Sequence, residues 1–152
     1  MDTKQFRQYI VRPTLKHLGL WSKIAEDLVM GTIAQESHFK YLDQLTPGPG
    51  PAYGVVQMEA ATHRSHWAWL RRHPDLKAKV EALLAPQPSK LEQLRSNLAY
   101  SVAMCRIHYY RRPQALPKDL DGIATYYKKY YNTYKGKATV AQFKRNFKKY
   151  VK

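Results

Sequence analysis

Apolar residues recur along most of this chain at intervals of three and four, the spacing that gathers them on one face of a helix. They predict a helix over residues 3–18, interrupted near Pro13, and a second from about Lys23 to Glu36 with Ser22 as its N-cap and no clear capping box. Further helices are predicted at about Ala60–Leu70, Asp75–Leu84, Lys90–Tyr110, 119–131 and 138–151. Pro86, Pro88, Pro113 and Pro117 separate some of them. Thr46-Pro47-Gly48-Pro49-Gly50-Pro51 fits neither helix nor central strand and reads as a rigid loop. Strand signals are confined to the stretch around Tyr53 to Met58. The predicted fold is therefore all-α, α+β at most by a small hairpin, in one domain spanning 1–152.

One position breaks the polar–apolar rule. The second helix buries Ala25, Leu28, Val29, Thr32 and Ile33, and Glu36 continues that stripe, four residues after Thr32 and seven after Val29. A carboxylate on an apolar stripe is costly unless it is paired or stays protonated. Desolvation raises its pKa, which is how a glutamate becomes a general acid near neutral pH. The alternatives are a frayed end that lets Glu36 reach water, or a buried ion pair with an arginine. Downstream, Gly54-Val55-Val56-Gln57-Met58 sets one amide in an apolar run. Gly54 permits close backbone approach, and Gln57 both donates and accepts. Those residues suit an amide-bearing ligand, or equally an ordinary buried strand with one satisfied Gln.

Composition narrows the class. With 152 residues, 44% of them hydrophobic, the chain can build a core without disulfides or metals. Its single cysteine, Cys105, excludes an internal disulfide and reads as a small buried residue. Twenty-six Lys and Arg against 11 Asp and Glu give a net charge of +15, which calls for an anionic partner: nucleic acid, membrane or bacterial envelope. No apolar run is long enough to cross a membrane, and Met1–Phe6 lack the apolar stretch of a signal peptide, so a cytosolic site of synthesis is expected.

Gln35-Glu36-Ser37, about twenty residues, and then Gly54-Val55-Val56-Gln57-Met58 with Ala61-Thr62 behind it resemble the soluble lytic transglycosylase and goose-type lysozyme group. The run from Gly48 to His63 looks like a phage-borne branch of it, and Asn97-Leu98 fits its usual pattern. The likeness covers about residues 22–133. It implies a lysozyme-like domain with Glu36 as catalytic acid/base and with Ser37, Gln57 and Met58 as substrate contacts. The third family motif, of Ala-Tyr-Asn type, matches loosely: either Tyr126 or the pair Tyr131-Asn132 takes that place. The implied reaction is cleavage of the β-1,4 bond between N-acetylmuramic acid and N-acetylglucosamine in bacterial peptidoglycan, with no cofactor. In this family one Glu suffices, with the substrate's own N-acetyl or 6-hydroxyl group completing the step. Whether Asp43 or Glu59 assists, and whether water or the internal hydroxyl attacks, stays open. The resemblance further implies a monomeric phage endolysin, held in the host cytoplasm until another protein releases it to the periplasm and cell wall. A virion-associated wall-piercing enzyme is the alternative.

Nine of the 26 cations lie between Tyr126 and Lys152, where there is no Asp or Glu. Val140, Phe143, Phe147 and Tyr150 form one stripe of the helix at about 138–151. That stripe either docks on the domain or makes an amphipathic cationic helix for an anionic membrane or outer-membrane surface. His63-x-x-His66, with His73 nearby, lacks partners at ligand spacing, so no metal is expected. Trp67 and Trp69 either pack in the core or line a sugar groove. No nucleic-acid-binding motif accompanies the tyrosines among lysines in 126–134, so that class is the runner-up in kind and nucleic acid is not an expected partner.

Overall fold

A computed structural model describes residues 1–43, 51–132 and 136–151. The first helical segment opens where the Asp2 side chain accepts from the Gln5 amide at 3.0 Å. It runs from α1 (Thr3–Phe6) through a wide π-helical turn (Arg7–Val11) into α2 (Arg12–His17). Pro13 cannot donate to the preceding turn. Just ahead of it the Arg12 N–H reaches back to the Arg7 carbonyl, and that widened turn carries the helix past the proline. The expected interruption is thus a π turn rather than a break.

Helix α3 (Lys23–Ser37) starts as its cap predicts, with Ser22 Oγ accepting from Ala25 N at 3.1 Å. It is the axis of the core: Ala25, Leu28, Val29, Met30, Ile33 and Ala34 are all buried. A methyl group on Gly31 would lie 2.4 Å from Phe143 Cζ, so glycine there lets the last helix approach. That helix, α9 (Val140–Asn146), opens with a Thr139–Gln142 capping box and continues as a π turn (Phe147–Val151). Phe143 and Val151 are buried, and Val140, Phe147 and Tyr150 pack against the core. The stripe read from the sequence is therefore docked, with Arg145, Lys148 and Lys149 left exposed.

Strands β1 (Ala52–Tyr53) and β2 (Met58–Glu59) pair antiparallel, Ala52 opposite Glu59 and Tyr53 opposite Met58. The small hairpin expected around Tyr53 to Met58 is thus present, but Val55 and Val56 belong to the buried turn between its strands, so the apolar run before Gln57 is not an ordinary buried strand. Gly54 has φ +78°, and a Cβ there would fall 1.9 Å from the Leu94 carbonyl oxygen, so both conformation and space demand glycine. Helices α4 (Ala60–Leu70) and α5 (Pro74–Glu81) follow, the latter three residues shorter at its end than predicted.

The long helix expected over Lys90–Tyr110 is two, α6 (Lys90–Ser96) and α7 (Leu98–Tyr110). Asn97 divides them: its side chain accepts from Tyr100 N at 3.0 Å and donates to Leu83 O at 2.8 Å, competing with the helical ladder. Helix α8 (Leu120–Tyr127), capped by Asp119, runs on into a π turn (Lys128–Asn132). The fold is thus all-α with one small hairpin. Among the described residues no helix is long and apolar enough to cross a membrane. The proline/glycine loop lies outside the described residues but for Pro51.

Candidate active site

The last turn of α3, the hairpin and the π turn after α8 enclose a cleft of about 460 Å³. Its walls are Glu36, Ala52, Gln57, Met58, Glu59, Thr62, His108, Tyr131, Asn132 and Gly136. Non-glycine residues with left-handed backbone among those described are His38, Phe39 and Gln57. Two lie two and three residues after Glu36 and the third is in the hairpin turn. Such conformations cost on the order of 1–3 kcal/mol each and persist where the surroundings hold them. Here Phe39 is buried and meets Phe6 edge-on at 5.5 Å, which anchors the abrupt end of α3.

Glu36 is part-buried at that end. Burial raises its carboxyl to about 7, against the opposing pull of a hydrogen bond from Tyr127. The Tyr127 hydroxyl donates to Glu36 Oε2. No lysine or arginine among the described residues forms an ion pair with Glu36, so neither a frayed end nor a buried ion pair describes it. The helix end adds to the effect, because the partial negative charge at a C-terminus disfavours a carboxylate. Tyr127 is itself buried, stacked on Tyr131 at 5.9 Å and packed on Phe143 at 4.8 Å, and burial pushes its hydroxyl up so that it stays a donor. With Oε2 accepting, an acid proton resides on Oε1.

The other predicted contacts divide. Gln57 lines the cleft, and its Nε2 donates to Gly54 O at 2.8 Å, which fixes the amide plane. Met58 touches the cleft from a buried position. Tyr131 and Asn132 also line it: the Tyr131 hydroxyl donates to the Val56 carbonyl, and Asn132 Oδ1 accepts from Lys128 at 2.9 Å. Tyr126 is not brought there; its hydroxyl donates to Gln114 O at 2.9 Å, away from the lining. Nor is Ser37, which is buried with Oγ on the Ile33 carbonyl at 3.1 Å, because the side chain after Glu36 turns about 100° around the helix. Of the two further carboxylates, Glu59 is exposed on the cleft wall, whereas Asp43 lies 3.7 Å from Arg95.

Two site residues were missed in the sequence. Tyr127 had a signal: it follows Ile123 and Ala124 at four and three, on the buried stripe that Tyr131 continues. His108 had none, because its role depends on partners far away. Its Nε2–H donates to Tyr130 O at 2.6 Å, so Nδ1 accepts from His66 at 3.1 Å, and His66 in turn accepts from Arg111 at 3.0 Å. Burial lowers His108 to about 4 and His66 to about 2, leaving both neutral. His63 bonds the Tyr100 hydroxyl at 2.6 Å, and Trp67 donates to the same oxygen at 2.7 Å, deep in the core. Trp67 and Trp69 are not among the cleft-lining residues. Among the described residues no three His, Cys, Asp or Glu side chains gather as a metal site. Cys105 is fully buried and burial pushes its thiol up.

Chemically, the cleft presents one carboxyl protonated near neutrality, a second exposed carboxylate, a fixed amide and an asparagine, with apolar surface between. No protein-family model, curated protein or solved structure matches this chain.

Proposed function

We propose that the chain is a peptidoglycan-degrading glycosidase of lysozyme-like type, cleaving the β-1,4 bond between N-acetylmuramic acid and N-acetylglucosamine, and that it serves a bacteriophage as an endolysin. The observation that carries this reading is Glu36: a carboxyl at a cleft, raised to about 7, whose hydrogen-bond partner is a tyrosine rather than a cation. Such a group gives its proton to the leaving glycosidic oxygen as the bond breaks. The amide of Gln57 and the side chain of Asn132 suit the N-acetyl and hydroxyl groups of amino sugars, and the cleft's size suits a short run of sugar rings.

Glu59 favours hydrolysis over internal cyclisation. It stands on the hairpin wall of the same cleft and is exposed, so it can take a proton from water as that water attacks the anomeric carbon. The bond to the leaving oxygen then breaks with Glu36 supplying the proton.

Loss of turbidity by permeabilised Gram-negative cells and by purified peptidoglycan tests the reading. Glu36→Gln is expected to abolish lysis with the fold intact, and retained lysis removes Glu36 from its role. Mass analysis of the released muropeptides is expected to give reducing ends, and Glu59→Gln is expected to slow the reaction or turn it towards anhydro ends. A salt-sensitive shift of DNA without lysis would favour a nucleic-acid-binding protein instead.

A further inference from the structure

Outside the cleft lining, behind its His108 wall, the C-terminal ends of α4 and α7 bring together Arg72, Arg106, Arg111 and Arg112 with Trp69 and Tyr110. Among the described residues none of these four guanidinium groups pairs with a carboxylate, whereas Arg7, Arg12 and Arg95 all do. Burial and then the charges of Arg112 and Arg72 lower Arg111 from its ordinary value, so the like charges lie close.

Three of the four are held in place. Arg111 donates to Ser65 Oγ at 2.9 Å and to His66 Nδ1 at 3.0 Å, Arg112 Nε donates to His108 O at 3.3 Å, and Arg106 Nε donates to Leu20 O at 3.0 Å. Arg106 is only 7% exposed and its unpartnered Nη1 is shut off from solvent, so it adds positive charge beneath the face, and Arg72, Arg111 and Arg112 are the groups that can meet a headgroup. Fixed arginines with unused donors lose little entropy on meeting phosphate oxygens.

We propose that this face is where the protein sits on an anionic phospholipid membrane. The aromatic rings favour a headgroup layer over single-stranded nucleic acid, which needs a free ring face for base stacking. Trp69 is stacked on His73 at 3.8 Å and meets Tyr110 edge-on at 6.0 Å, and Arg106 lies over Tyr110 at 5.6 Å. Their ring faces are engaged, yet Tyr110 remains 47% exposed, an amphipathic ring of the kind that settles at headgroup level. The C-terminal helix is the weaker candidate, because its apolar stripe is docked and Lys144 pairs with Asp121.

The test is sedimentation of the full chain with vesicles of phosphatidylglycerol and phosphatidylethanolamine. Each arginine near an anionic surface contributes about 1 kcal/mol, so Arg72→Gln with Arg111→Gln is expected to lower partitioning about thirtyfold. Arg72→Gln alone, on an exposed side chain that makes no bond, is expected to lower it about fivefold and keeps the test valid should the double variant misfold. Lys148→Gln with Lys149→Gln is expected to stay within about twofold of the parent. Brominated lipids are expected to quench Trp21→Phe as they quench the parent, and Trp69→Phe much less. An equal or larger loss from the Lys148/Lys149 pair, unchanged quenching in Trp69→Phe, or no vesicle binding by the parent overturns the proposal. Tighter binding to a single-stranded oligonucleotide than to vesicles at the same salt overturns it in favour of nucleic acid. Glu36→Gln is expected to bind vesicles like the parent, so this surface and the glycosidase reading stand or fall separately.

Discussion

Helix α3 carries a carboxylate out of water in its first turn and another in its last, and their surroundings drive them in opposite directions. Glu26 is fully buried, and burial alone would raise it. Hydrogen bonds from Arg12, Trp21 and Arg7 outweigh that and hold it at about 2. Arg12 Nε and the Trp21 indole reach one of its oxygens at 2.7 and 2.9 Å, while Arg7 holds the other. The positive end of the helix dipole acts in the same sense. Glu36 has the negative end and one neutral donor in place of two guanidinium groups, so burial prevails and it reaches about 7. The difference separates a structural charge from a reactive one. A buried carboxylate caged by cations is fixed in its ionised form, whereas one held by a hydroxyl keeps a proton it can give away.

Removing the reactive group should have the largest effect. Glu36→Gln is expected to lower the lytic rate by 100-fold or more, on the scale of about 10²–10⁴ for general acid catalysis, with no loss of melting temperature. The structural group should answer the other way. Glu26→Gln leaves Arg12 without its carboxylate and Arg7 with Asp27 alone, and is expected to cost about 3 kcal/mol in urea unfolding, while the folded fraction keeps its activity.

The pH dependences should also oppose each other. Glu36 is raised, so the parent chain is expected to lose about 3 kcal/mol relative to Glu36→Gln as pH rises from about 4.5 to about 7. Glu26 is lowered, so its stabilisation is complete above about 4.5 and is lost as pH falls towards about 2, again by about 3 kcal/mol relative to Glu26→Gln. Parallel slopes for the two carboxylates would refute the contrast. The smallest effect is expected from Tyr127→Phe. It removes the hydrogen bond that lowers Glu36, so the alkaline limb of the pH–rate profile should move up by about one unit.

Much of α3 was legible because its causes are local. The three-and-four spacing, the Ser22 cap and the place of Glu36 on the buried stripe all depend on residues within a turn or so of each other. The same holds for Gly54, where a tight turn required a glycine. Where local rules misled, a side chain had an alternative the pattern could not show. Asn97 capped α7 rather than continuing α6, and Val55-Val56 were apolar because they lie in a buried turn. Ser37 and Tyr126 were placed at the site by analogy of motif, but the helical rotation at Ser37 and the bond from Tyr126 to Gln114 take both elsewhere.

The sequence by itself determined that the chain is helical, that it is strongly basic, and that a carboxylate sits where apolar packing would be expected. Only the tertiary structure decided what that carboxylate is. Tyr127 meets Glu36 from 91 residues away, and Tyr131 ties the π turn to the hairpin across 75. The arginines that do pair with a buried glutamate, Arg7 and Arg12, go to Glu26 at the other end of the helix. The physical reason is that helical periodicity is set by neighbours in the chain, whereas a pKa is set by neighbours in space, through the water excluded and the charges admitted.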